Sequence, residues 1–225
     1  MIKKLLLILI TFSISEMSFA GFNSTPGDSL NYTPKMYVGV HAGSFGAGLQ
    51  FAYPISKLIT IRATGSYFPT YNKTILGTED GANVTTVASF KSGGVGIIGD
   101  FSFFKNKPGI RFSTGLIYNI TQATATRSYY LASDNFDLGN LTLDFTPKNK
   151  VSPYLGFVFG NLKTSKRVFF SMETGILYQG KPQLVFTGVG HISPTANESN
   201  TAIIENNVKS YQFYPYINLQ LNFKL

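Results

Sequence analysis

The chain has 225 residues, 44% of them hydrophobic and only 13% charged, with a formal net charge of +8. It contains no cysteine, which excludes a disulfide framework and a thiolate metal site. The basic balance comes without a Lys/Arg run or a basic-aromatic motif, so nucleic acid is not an expected partner.

The first twenty residues read as an export signal: Lys3 and Lys4 precede the apolar stretch LLLILITF, and Ser18-Phe19-Ala20 supplies a small-x-small cleavage site near Ala20. That stretch is well short of the roughly 20 residues a spanning helix needs, and no later segment reaches that length. Residues 21–35, rich in Pro, Asn, Ser and Gly, read as a flexible periplasmic leader. Seven N-x-S/T triplets, the first at Asn23, raise glycosylation. An Asn- and Thr-rich chain makes such triplets by chance, and the absence of cysteine favours bacterial export.

From residue 36 the recurrent unit is an alternating run of about ten residues closed by turn chemistry, the signature of a transmembrane β-barrel. Eight runs begin near Met36, Phe45, Leu58, Val87, Gly109, Lys150, Val168 and Ser210. The expected fold is all-β: a closed eight-stranded antiparallel up-and-down transmembrane barrel over 36–225. Short connections fall at 54–57, 104–109 and 161–167, with a tight hairpin at Gly43-Ser44. Long polar loops are expected near 72–83, 126–148 and 183–207, facing outside if the chain ends lie in the periplasm.

Charge sorts with this division. The short turns hold Lys57, Lys105, Lys107, Lys163, Lys166 and Arg167, while the long loops hold Glu79, Asp80, Asp134, Asp137, Asp144, Glu198 and Glu205 against Lys73, Arg127 and Lys148. Glu79, Asp80, Asp134, Asp137 and Asp144 are therefore candidates for an electronegative outer mouth that concentrates cationic solutes. Solvated loop acids are the plain alternative.

Alternation also predicts what points inward. In YINLQLNFKL, Ile217, Leu219, Leu221, Phe223 and Leu225 share one side and Asn218, Gln220, Asn222 and Lys224 the other. If this run pairs with the first, no edge is left open. The same rule turns Thr60, Arg62, Thr64, Ser66, Asp100, Arg111, Ser113 and Glu173 toward the axis. Arg62, Asp100, Arg111 and Glu173 then form a lumen charge cluster, since a charge facing lipid costs up to about 2 to 4 kcal/mol at mid-depth. Such a cluster either plugs a narrow barrel or forms a constriction selecting a small zwitterionic or cationic solute.

Tyr53, Tyr67, Phe68, Tyr71, Phe103, Phe104, Tyr118, Tyr178, Tyr214 and Tyr216 fall near strand ends and are candidates for interface girdles. His41 and Ser44 suggest the base and nucleophile of a lipid esterase, but the spacing spans a turn and no third member is evident. His191 has no neighbouring ligands, so neither a metal nor any other cofactor is expected, and the chain is not expected to be an enzyme.

SPYLGFVFGN, a short basic turn and ETGILYQGKP, followed by IIENN and the closing YPYINLQLNFKL, resemble the ornithine-uptake, carbapenem-associated porin family of Acinetobacter and its proteobacterial relatives. VGVHAGSFGAGLQFAYPIS fits the same pattern. Pro153-Tyr154-Leu155-Gly156 and Tyr178-x-Gly180-x-Pro182 are the most specific pieces, and Glu173 falls where that family also has an acid. The middle segment SYYLASDNFDLGNLTLDFTP has no clear counterpart, and Leu225 stands where such barrels commonly end on an aromatic residue. The resemblance implies an eight-stranded barrel in the Gram-negative outer membrane, with membrane lipid, lipopolysaccharide and the barrel-assembly machinery as partners. It further implies a narrow channel for small cationic or zwitterionic solutes such as basic amino acids. A closed barrel serving as a structural anchor or loop-mediated adhesin is the alternative reading.

Overall fold

The computed structural model describes residues 35–79, 81–102, 109–131, 133, 136–160 and 166–225. Eleven strands dominate: β1 (Tyr37–Gly43), β2 (Gly46–Pro54), β3 (Ile59–Glu79), β4 (Ala82–Phe101), β5 (Ile110–Asn119), β6 (Gln122–Leu131), β7 (Asp137–Pro147), β8 (Val151–Phe159), β9 (Val168–Tyr178), β10 (Pro182–Gly190) and β11 (Phe213–Lys224). A 3-10 turn (Ser193–Thr195) and helix α1 (Glu198–Val208) connect β10 to β11. Asn197 caps α1 by accepting a hydrogen bond from the Asn200 backbone N–H at 2.9 Å.

All eleven strands belong to one antiparallel sheet, so the expected number of eight is corrected. Eight of them pair in a cycle, β1–β2–β3–β4–β5–β8–β9–β11 and back to β1. The other three extend from one end in the order β3-β4-β6-β7-β10. Strand β4 makes this possible by changing partner along its length. Its residues Gly94–Phe101 pair with β5, whereas Ala82–Lys91 pair with β6. The switch coincides with a slip in the β3–β4 register between Phe68 and Tyr71, and irregularities of this kind bend and re-aim strands.

The described residues of the three expected long loops are therefore mostly strand and helix. The range 72–83 holds the end of β3 and the start of β4, 126–148 hold most of β6 and all of β7, and 183–207 hold most of β10 with the 3-10 turn and most of α1. The apolar/polar alternation used to find strands is missing there because neither face is deeply buried. These strands are tied by polar cross-strand pairs instead: Thr124 Oγ1 donates to Asp144 at 2.6 Å, and the Thr126 and Thr142 hydroxyls bond at 3.2 Å.

Turns follow local chemistry. Ser44 and Phe45 make a two-residue connection between the paired Gly43 and Gly46. Gly46 has φ +109°, and an added Cβ would run into the Tyr67 backbone, so only glycine fits. In the 54–57 turn the Ser56 hydroxyl accepts from the Leu58 and Ile59 backbone N–H groups at 3.2 and 3.1 Å. The expected export signal, all of the leader except Lys35, and most of the basic turns at 104–109 and 161–167 lie outside the described residues.

Around the ring the usual inside and outside are exchanged. On β11, Ile217, Leu219, Leu221 and Phe223 are exposed while Asn218, Gln220, Asn222 and Lys224 are buried. Thr60, Arg62 and Thr64 are buried on β3 with Ile61 and Ala63 exposed between them. Two apolar clusters share the interior with these polar groups. Phe45, Ile98, Ile117, Tyr154, Leu177 and Tyr216 pack together toward the end bearing the extension, and Tyr37, Ala52 and Phe169 pack toward the other.

Candidate functional site: the charged interior of the ring

Between the two apolar clusters the ring is filled by ion pairs. Arg62 comes from β3, Asp100 from β4, Arg111 from β5 and Glu173 from β9. Inward parity on four strands brings all four side chains together, and none is more than 1% exposed.

Arg62 is the hub. Its Nε and Nη2 donate to the two oxygens of Asp100 at 3.0 and 3.1 Å. Nη2 and Nη1 donate to the two oxygens of Glu173 at 2.6 and 3.0 Å, and Nη1 also reaches Gln50 Oε1 at 2.8 Å. One guanidinium thus spans two carboxylates, using the planar fork that suits arginine to this task. Arg111 Nη1 adds a second cation to Asp100 at 3.1 Å and contacts the Tyr37 hydroxyl at 3.3 Å. Two arginines balance two acids.

Buried ions survive only where their remaining bonding capacity is also met. The Ser113 hydroxyl donates to Asp100 at 2.7 Å; Tyr154 Oη and Gln220 Nε2 donate to Glu173 at 2.8 and 2.6 Å. Gln50 and Ser171 hold Gln220 in place at 3.0 and 2.9 Å, and Asn222 links Gln50 and Ser171 at 2.6 and 2.9 Å. Among the buried side-chain donors and acceptors described, Arg111 Nε is the one left without a partner.

Tyr154 reaches Glu173 because two interior positions are empty. A Cβ at Gly156 would strike the Tyr154 hydroxyl and one at Gly175 would strike its ring. The ring lies over both glycines and edge-on to Tyr216, with centroids 5.1 Å apart.

Arg62, Asp100, Arg111 and Glu173 are the four charged residues that alternation turns toward the axis; Tyr37, Gln50, Tyr154 and Ser171 join them as partners without having been expected there. Inward parity could have found Gln50 and Ser171. The tyrosines carry no such mark, because their rings suit either side. Tyr216, expected in an interface girdle, is instead buried in the apolar cluster, and Tyr214 is half-buried against Phe45 at 5.5 Å. Tyr53, Tyr67, Phe68, Tyr71, Tyr118 and Tyr178 are exposed, as a girdle requires; Phe103 and Phe104 lie outside the described residues.

Of the candidate mouth acids, Glu79 ends β3 and pairs with Arg127 at 3.1 Å, Asp137 accepts from the Gly139 backbone N–H at 2.8 Å, and Asp144 is held by Thr124. Asp80 and Asp134 lie outside the described residues. His41 and Ser44 do not meet as base and nucleophile. The imidazole faces Asn218, Thr64 and the Leu49 carbonyl, whereas the Ser44 hydroxyl donates to the Pro215 carbonyl at 2.8 Å. Among the described residues no group of three or more His, Asp or Glu is placed to hold a metal ion.

No family model and no curated protein sequence matches the chain. Solved structures do. CarO2 of Acinetobacter baumannii superimposes with a TM-score of 0.58 at 14% identity, over 85% of this chain and 98% of that one. CarO of Acinetobacter baumannii gives 0.54 at 17% identity over the same shares. Over most of its length the chain thus has the fold of these two Acinetobacter baumannii structures.

Proposed function

We propose that the chain is an integral outer-membrane β-barrel in which the eight-strand ring crosses the membrane, its interior is shut, and the extension is carried as an anchored surface outside. The single observation behind this reading is the contrast along the ring strands. Leu219 is 48% exposed and Ile97 65% exposed, whereas Arg62, Asp100, Arg111 and Glu173 are at 0 to 1%. Apolar side chains so displayed suit lipid, and a closed ring satisfies every ring strand on both edges, as lipid demands. Acids and arginines with no contact with solvent leave no continuous aqueous path at their level.

A second reading, a narrow channel for small cationic or zwitterionic solutes such as basic amino acids, has its own support. The interior is shut by side chains, and Arg62 fills with its own guanidinium a pair of carboxylates that a solute guanidinium or ammonium could take. Bilayer recording and liposome swelling with ornithine or arginine separate the two. Insertion without conductance or swelling supports the closed anchor; swelling that follows the solute's positive charge overturns it in favour of the channel.

A further inference from the structure

The extension has two outer strands, treated differently. Strand β10 has the 3-10 turn and α1 packed against it. Among the described residues strand β3 has no such cover. Strand β2 follows it only as far as Tyr67, and beyond that point β3 is paired on one side alone, with β4, among the described residues. Residues Tyr67 to Glu79 are all exposed, and Leu76 at 76% is the most exposed of the large apolar side chains described. A bare, extended edge of this kind is a template for another strand.

We infer that this edge pairs antiparallel with the same edge of a second copy, about a two-fold axis through Leu76, an inference that rests on the anchored-barrel reading. The sequence is complementary to itself in that one register. Lys73 lies opposite Glu79 twice, Thr74 opposite Thr78 twice, and the two Leu76 side chains meet at the axis. Ile75 falls opposite Gly77, where the structure is open because nothing lies within 4 Å of the position a Cβ would take. Opposite charges set directly across an antiparallel pair stabilise it, and like charges destabilise it. Parallel pairing in the matching register sets Lys73 against Lys73 and Glu79 against Glu79. An antiparallel slip of two residues loses both charge pairs. Glu79 already bonds Arg127 through Oε2, and a carboxylate accepts two cations.

A two-fold axis crossing the strands places the two rings at opposite ends of the joined ribbon. The copies therefore sit in two apposed membranes, and the occupant of this surface is the same protein on a neighbouring cell or vesicle.

The chain has no cysteine, so Leu76→Cys introduces the sole thiol. Folded full-length protein carrying it, oxidised in detergent micelles, should form a covalent dimer. Thr74→Cys mixed with Thr78→Cys should also crosslink, whereas Thr74→Cys alone should not. In phosphatidylethanolamine/phosphatidylglycerol vesicles, wild-type protein should cluster vesicles. Lys73→Glu and Glu79→Lys should each lower the clustering rate at least tenfold, and mixing vesicles of the two variants should restore it. Inserted, protease-resistant protein that neither clusters vesicles nor crosslinks at Leu76→Cys overturns the pairing and leaves the anchored ring standing. Crosslinking by Thr74→Cys alone overturns the antiparallel register. Complete proteolysis after reconstitution overturns the barrel reading itself, and the pairing with it.

Discussion

Arg62 and Glu173 are separated by 111 positions in the chain, yet meet inside the ring through two hydrogen bonds of 2.6 and 3.0 Å. The contact requires β3 and β9, which do not pair with each other, to face each other across the same interior. It therefore reports closure of the ring directly. Asp100 on the other side of Arg62 makes the guanidinium a strut between two strands.

Glu173→Ala removes the acceptor of Arg62, Tyr154 and Gln220 at once and leaves an arginine half-compensated. Breaking a buried pair on one side costs about 3 to 5 kcal/mol. Urea unfolding in detergent micelles, followed by far-UV circular dichroism, should show a loss of that size. Replacing Glu173 and Asp100 together by alanine with no loss of stability would remove the claim that these acids hold the interior shut.

The glycines beneath Tyr154 give a second test. Tyr154→Phe deletes one hydrogen bond to a carboxylate, a loss of about 1.5 to 3 kcal/mol. Gly156→Val should cost more, because it displaces the whole ring from the position that Gly156 and Gly175 leave open. An equal or smaller effect of the valine would mean that the ring is not seated there.

Leu219→Arg places a charge on the exposed face of the closing strand. In vesicles the change should destabilise by about 2 to 4 kcal/mol, the range for arginine facing lipid at mid-depth. Val185→Arg on β10, somewhat more exposed but on the extension, should stay within about 0.5 kcal/mol, as surface substitutions usually do. Comparable effects at both sites, measured by reversible urea unfolding from lipid, would place the membrane boundary elsewhere.

Ser44→Ala tests esterase chemistry. The Ser44 hydroxyl donates to the Pro215 carbonyl and makes no contact with His41. The expected result is unchanged phospholipid and lipid A composition in cells, with a stability loss of about 1 to 2 kcal/mol from two missing hydrogen bonds, the one to Pro215 and the one the hydroxyl accepts from the Ile217 N–H at 3.1 Å. A change in lipid products would show that the two residues meet in some other state.

The ring was legible in the sequence because its alternation is imposed by two different surroundings. Seven of the eight expected runs begin within three residues of observed ring strands, and the eighth, near Val87, falls inside β4, which starts at Ala82. Arg62, Asp100, Arg111 and Glu173 were found for the same reason, since a charge in an alternating run has one affordable side. The extension was not legible. In β6, β7 and β10 both faces are partly exposed, so nothing forces a period of two, and their Thr, Asn and Gly content reads as loop until cross-strand partners are known.

By itself, then, the sequence determined which side of each ring strand is oily and which is polar, because that pattern is local and repeats every two residues. Only the tertiary structure decided that β4 divides its partners between β5 and β6, that Tyr154 and Tyr216 point inward, and that Arg62 bridges Asp100 and Glu173. Those outcomes depend on which strands become neighbours and how far they are staggered. No stretch of a single strand encodes either.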